Sequence, residues 1–146
     1  MKNIYVLVAL LAGAMVPLQA GINVRLKQAV GDPLISALVS FAVGTLVLLA
    51  SCAFLRPLGN ALAGARGPWW MWTGGLLGAF FVAATILLAE KLGAGAMLAW
   101  IIASQLLAGM LMDHYGLIGY AVREVSLPRL AGALLLVAGA VLVQKY

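Results

Sequence analysis

The sequence predicts an all-α fold, a polytopic membrane protein built as a five-transmembrane-helix bundle. Three observations predict it. No charged residue falls between Lys2 and Arg25, Asp32 and Arg56, Arg66 and Glu90, or Lys91 and Asp113, gaps of 21 to 23 residues each. A bilayer's hydrocarbon core takes about 20 residues of helix. The chain is 65% hydrophobic and only 9% charged, with mean hydropathy +1.12. Soluble domains run at roughly 25% charged, so this composition could not cover a water-facing surface. Finally, residues 4–16 and 130–143 are continuous apolar runs. A membrane β-barrel would instead show stretches of about 10 residues with alternating polarity, so the spans are helical.

The first helix is expected over 4–24, with Pro17 as a kink in its second half. Lys2, the apolar run 4–16 and Leu18-Gln19-Ala20 resemble a secretory signal peptide, but Leu18 is bulky where cleavage wants a small residue, which favours a retained span. The second helix is expected over 33–55. Pro33 suits a first helical position, where its missing N–H would be unpaired anyway. Residues 57–68 form a polar connection bearing Gly and Pro. The third helix, over 68–89, opens on Trp69, Trp70 and Trp72, whose amphipathic rings favour the headgroup level. Glu90-Lys91 is read as a very short turn before the fourth helix, 92–112. Only 15 residues separate Arg129 from Lys145, so the fifth helix is extended to 125–143, with both cations snorkelling outward. Four spans plus an interfacial segment is the alternative. The whole chain reads as one transmembrane domain, residues 1–146.

Five spans put Lys2, Arg56, Arg66, Arg123 and Arg129 on one side of the membrane and Arg25, Lys27, Lys91 and Lys145 on the other. Orientation follows the side with excess Lys/Arg. A difference of one gives almost no bias, as an antiparallel homodimer of oppositely inserted copies requires; such a pair forms an inverted repeat. Four spans would move Lys145 across and create a bias, and in tiny loops the first helix can dominate. The net charge of +5 is spread singly between spans, with no basic run to grip a phosphate backbone, so nucleic acid is not an expected partner. The lone Cys52 excludes an internal disulfide.

Candidate binding residues are few. Gln19 and Asn23 lie four apart just past Pro17, on one helix face; they could bond a solute or glue helices together. Trp100 and Ser104 are likewise four apart near the middle of the fourth helix, with Gln105 adjacent. A mid-membrane Trp sits away from its usual interfacial place and could line a cavity, or simply pack. Gly74, Gly75 and Gly78, and Ala131/Ala138 with Gly132/Gly139, offer close-packing stripes, the latter a dimer contact. Glu90-Lys91 and Asp113-His114 sit at span ends, where water reaches them; His114 could titrate and gate access. There is no Ser/His/Asp arrangement, phosphate loop or Cys/His metal spacing, so neither an enzyme nor a cofactor is expected.

The segments Leu18-Gln19-Ala20-Gly21-Ile22-Asn23, Gly31-Asp32-Pro33, Ser104-Gln105-Leu106-Leu107, Met112-Asp113-His114-Tyr115-Gly116 and Gly132 with Ala138-Gly139 resemble the drug/metabolite transporter superfamily, in particular its small five-helix YdcZ-type family of unknown substrate. The last two helices also resemble those of the small multidrug resistance exporters, with Trp100 and the Ala131-Gly132 and Ala138-Gly139 pairs matching. Those exporters work as antiparallel dimers and carry an acidic residue in the first helix. Here the stretch reads Leu11-Ala12-Gly13-Ala14-Met15, without a carboxylate.

The resemblance implies a small bacterial inner-membrane transporter, moving a small solute by alternating access as an antiparallel homodimer or with an oppositely oriented paralogue. Gln19, Asn23, Trp100, Ser104 and Gln105 are its expected lining residues. Without a buried carboxylate in the first helix, a neutral or weakly polar solute is favoured over a cation exchanged for protons. The alternative is a non-transporting membrane subunit that stabilises a larger partner. A channel lacks a charged ring or a filter motif.

Overall fold

The computed structural model describes residues 2–55 and 68–146, and every regular element among them is helical. The expected connection over 57–68 lies outside the described residues apart from Pro68. The elements are α1 (Lys2–Val30), α2 (Pro33–Leu55), α3 (Gly74–Tyr115) and α4 (Leu127–Lys145), with short 3₁₀ segments at Trp69–Thr73 and Leu117–Gly119. All four helical regions are long and apolar enough to cross a membrane. The chain is therefore a polytopic helical membrane protein.

Two of the motifs quoted above turn out to be helix punctuation. Gly31 (φ 83°) ends α1, its N–H donating to the Lys27 carbonyl at 2.7 Å. Asp32 then caps α2, its Oδ1 accepting from the N–H groups of Leu34 at 2.7 Å and Ile35 at 3.0 Å, with Pro33 in the first turn. Replacing Asp32 with Ala leaves two N–H groups without that acceptor. The expected cost is about 1 kcal/mol, measured by reversible unfolding in mixed micelles.

α1 extends to Val30, six residues beyond the expected end at 24. Arg25 and Lys27 do not stop it, since cationic side chains can run their stems along apolar surface and no Gly or Pro lies between Arg25 and Gly31. Lys27 is thereby carried to Glu90, and the two form an ion pair with side chains only 22% and 25% exposed. Glu90-Lys91, expected as a turn exposed to water, is helical here. The departure from helical geometry falls at Gly93 (φ 78°, ψ 160°), a backbone region essentially closed to other residues. α3 has 42 residues. At 1.5 Å per residue that is about 63 Å of helix, roughly twice the hydrocarbon thickness.

The chain divides into two compact units, up to Glu90 and from Lys91 onward. In the first unit Ala37, Val82 and Ile86 are buried, with Val24, Phe81 and Ala83 packed against them. Asn23, Ser36 and Thr85 are buried with them, at 2%, 0% and 4% exposure. Ser36 Oγ donates to the Asn23 carbonyl at 2.8 Å, tying α2 to α1, and Thr85 bonds back to the Val82 carbonyl of its own helix. In the second unit the buried positions are Ala96, Met97, Ala103 and Met110 on α3, and Ala133 and Ala140 on α4. Ala96, Ala103 and Met110, like Ala133 and Ala140, recur every seven residues, the repeat of helices packed along a shallow crossing.

Outward, the pattern is the reverse of a soluble protein. Large side chains such as Leu46, Phe80 and Leu135 are exposed at 66%, 75% and 73%, whereas the interior is mostly small. Lipid tails are as apolar as leucine, so burying leucine gains little, and small residues gain by letting backbones approach.

Candidate functional site

A cavity in the second unit lies between the later part of α3 and α4 and has a volume of about 400 Å³. From α3 it is lined by Gln105, Leu106, Gly109, Met110 and Asp113, and from α4 by Arg129 and Gly132. The α3 residues fall on one face because 105, 109 and 113, and 106 and 110, are four apart. Gly109 and Gly132 leave room between the helices. Gln105 lies eight residues from Asp113. The cavity thus runs about 12 Å along α3, from the expected mouth of a span toward its middle.

The charged end is built by the chain leaving α3. Gly116 (φ 61°) terminates the helix in the left-handed region. The Asp113 carbonyl accepts from Gly116 N–H at 3.4 Å and, after the loop, from Arg123 N–H at 2.8 Å. His114 Nδ1 accepts from Val125 N–H at 3.4 Å, and the His114 ring meets Tyr115 edge-on. The returning chain enters α4 and sets Arg129 Nη1 3.6 Å from Asp113 Oδ2. That nitrogen also donates to the Arg123 carbonyl at 3.4 Å. Both contacts exceed the 2.7–2.9 Å usual for charge-assisted bonds, so the guanidinium is oriented without being saturated. The two side chains are 29% and 35% exposed, intermediate between solvated and buried.

Of the five residues singled out in the sequence, Gln105 lines this cavity. Trp100 and Ser104 belong to the same unit but are occupied elsewhere: Trp100 Nε1 donates to Gln144 Oε1 at 2.6 Å, joining α3 to α4, and Ser104 Oγ donates to the Ile101 carbonyl at 2.9 Å. Gln19 and Asn23 belong to the first unit. Gln19 is exposed and lines a smaller groove of about 200 Å³ with Ser40, Phe41 and Thr45. Asn23 is buried, and among the described residues its Nδ2 has no hydrogen-bond partner.

Asp113, expected from the sequence at a solvated span end, and Arg129, expected as a snorkelling flank, both line the cavity. The signal for Asp113 was its spacing from Gln105 and Gly109 along one helix face. Arg129 had no such signal, since its partner lies 16 residues away across a loop. Gln144 was missed for the same reason. Trp100→Phe is expected to cost about 1 kcal/mol of stability by leaving Gln144 without its donor, read from unfolding in mixed micelles. No such loss in that variant would mean the bond contributes nothing.

Among the described residues no cluster of metal-ligating side chains is found. Residues 4–142 match the model of a protein family described as "Putative inner membrane exporter, YdcZ". The chain is also similar to the inner membrane protein YdcZ of Escherichia coli (strain K12), with 34% identity over 137 residues, covering 92% of this chain and 90% of that protein. No solved structure matches it.

Proposed function

The chain belongs to the YdcZ family, and from that membership we propose that it moves a small solute by alternating access, as an antiparallel dimer of five-span subunits. It is a multi-pass inner membrane protein of transporter-like type. The observation that carries the finer reading is the cavity from Gln105 to Asp113 and Arg129. It sets an amide, a carboxylate and a guanidinium along a wall of apolar and small side chains. Solute sites in secondary transporters lie near the bilayer midplane at the interface of inverted repeats. A five-helix chain supplies one repeat, and an oppositely inserted copy supplies the other.

The length of α3 supports the reading of five spans. It is about twice the hydrocarbon thickness, longer than one crossing needs, and Gly93 breaks it beside Glu90 and Lys91. On this reading each side of that break is one span. Dual insertion rests on the near balance of Lys and Arg across five spans. C-terminal fusions test it, one reporter fluorescing only in the cytoplasm and another active only in the periplasm. Both should give signal from single-copy chains. Signal from one alone rules out dual insertion for this chain and points to an oppositely oriented paralogue as partner.

Transport itself is tested in proteoliposomes loaded with a mixed metabolite extract, following loss of each component by mass spectrometry. Gln105→Ala and Gln19→Ala serve as comparison variants. A second reading, a non-transporting subunit of a larger assembly, is favoured by the polar groups already consumed in packing. Ser36 with Asn23, Trp100 with Gln144 and Ser104 with Ile101 all serve the chain itself. No loss of any component, together with a stoichiometric co-purifying partner, decides for that reading.

A further inference from the structure

We propose that the Asp113–Arg129 cavity binds a small zwitterion, its carboxylate on the Arg129 guanidinium and its ammonium on the Asp113 carboxylate. The inference rests on the transporter reading and supplies its substrate class.

The argument starts from charge balance. Among the described residues the cavity holds one fixed anion and one fixed cation, each about two-thirds buried, 3.6 Å apart. A solute carrying only a negative charge would take the guanidinium and leave Asp113 facing like charge in a partly desolvated place. A cation alone would do the same to Arg129. Removing the partner of a desolvated charge is costly, whereas exchanging partners is not. A zwitterion replaces one internal ion pair with two external ones and leaves no charge unmatched.

The geometry agrees with exchange. Among the described residues Arg129 uses Nη1 for both of its polar contacts, at 3.6 Å and 3.4 Å. Among the described residues, the rest of its planar fork makes no hydrogen bond, and that fork matches a carboxylate with two parallel bonds. Asp113 is anchored through its backbone carbonyl by Arg123 N–H, so its carboxylate can change partners without releasing the loop. Leu106 and Met110 supply an apolar wall for a short aliphatic body, and Gln105 offers a neutral amide deeper in the cavity. The volume of about 400 Å³ suits a molecule of amino-acid size. Zero net charge also agrees with a first helix that lacks a carboxylate for proton exchange.

The test is calorimetric titration of the purified protein near neutral pH with glycine, alanine, valine and leucine. Each is compared with its N-acetyl derivative, an anion, and its C-terminal amide, a cation. At least one zwitterion should bind about 10-fold more tightly than both of its charged derivatives, a figure reduced for the partial exposure of the two groups. Asp113→Asn should lose that preference and favour the N-acetyl anion, and Arg129→Gln should favour the amide cation. Arg129→Lys should retain the wild-type order. A role confined to holding the loop would weaken all three ligand types together and reverse no preference.

If no zwitterion binds, or the charged derivatives bind as well, the proposal is overturned even where one variant fails to fold. Flux in proteoliposomes is read separately. Zwitterion binding without flux keeps the site and removes the transporter reading. Flux of other solutes without zwitterion binding keeps the transporter reading and removes this site.

Discussion

Gly93→Ala is expected to destabilise the protein by about 2–3 kcal/mol, although the added methyl group meets nothing within 4 Å. The cost comes from the backbone alone. At φ 78° and ψ 160° Gly93 occupies a region that Cβ sterics close to every other residue, so alanine must strain there or pull the chain into helical geometry. A matched control stands two residues away. Gly95 lies in regular helix, and a Cβ there would meet Val143 Cγ1 at 3.7 Å, an ordinary contact. Gly95→Ala should be neutral or stabilise by up to about 1 kcal/mol, because alanine loses less backbone entropy in a helix. Unfolding of both variants in mixed micelles, followed by circular dichroism, gives the comparison. Equal stability of the two would show that Gly93 holds no special conformation in the membrane-embedded chain. On the five-span transporter reading proposed above, straightening α3 at this point should also abolish solute flux.

Gly116→Ala should cost a similar amount, about 2–3 kcal/mol, for two separable reasons. Gly116 has φ 61°, where a non-glycine residue is disfavoured by roughly 1–2 kcal/mol. A Cβ there would also lie 2.8 Å from Val122 Cγ2 and 3.4 Å from the Tyr120 carbonyl oxygen, which forces Val122 from its rotamer at about 1 kcal/mol more. Adding Val122→Ala relieves the second term and leaves the first, so the double variant should recover about 1 kcal/mol, a coupling that a double-mutant cycle reads directly. The damage should reach the cavity too. The loop that Gly116 starts is the one that returns Arg123 N–H to Asp113 and then delivers Arg129. Affinity for the proposed zwitterion should therefore fall in Gly116→Ala even though no cavity-lining side chain changes.

These two glycines show where reading the residues in order succeeds and where it stops. The Met112-Asp113-His114-Tyr115-Gly116 and Gly31-Asp32-Pro33 segments stood out in the sequence. Their roles as a helix stop and a helix cap are local, decided by residues within four positions of one another. Gly93 did not stand out, because Glu90 and Lys91 beside it offered charge as an apparent turn signal. Charge near a span end does not end a helix when it can be paired, and Glu90 is paired with Lys27, 63 residues away. Trp100 was visible as a mid-span aromatic, but its bond to Gln144 spans 44 residues.

By itself the sequence determined that this chain lives in a bilayer, that it crosses as helices, and where the apolar stretches begin and end. Each of those follows from the run length of uncharged residues against a hydrocarbon layer of fixed thickness, which is a one-dimensional constraint. Only the tertiary structure decided which polar side chains are consumed in packing and which face a cavity. Ser36, Ser104 and Trp100 are occupied, while Gln105, Asp113 and Arg129 share an open space. The physical reason is that every polar group in a membrane needs a partner, and the partner is chosen by proximity in three dimensions rather than by position along the chain.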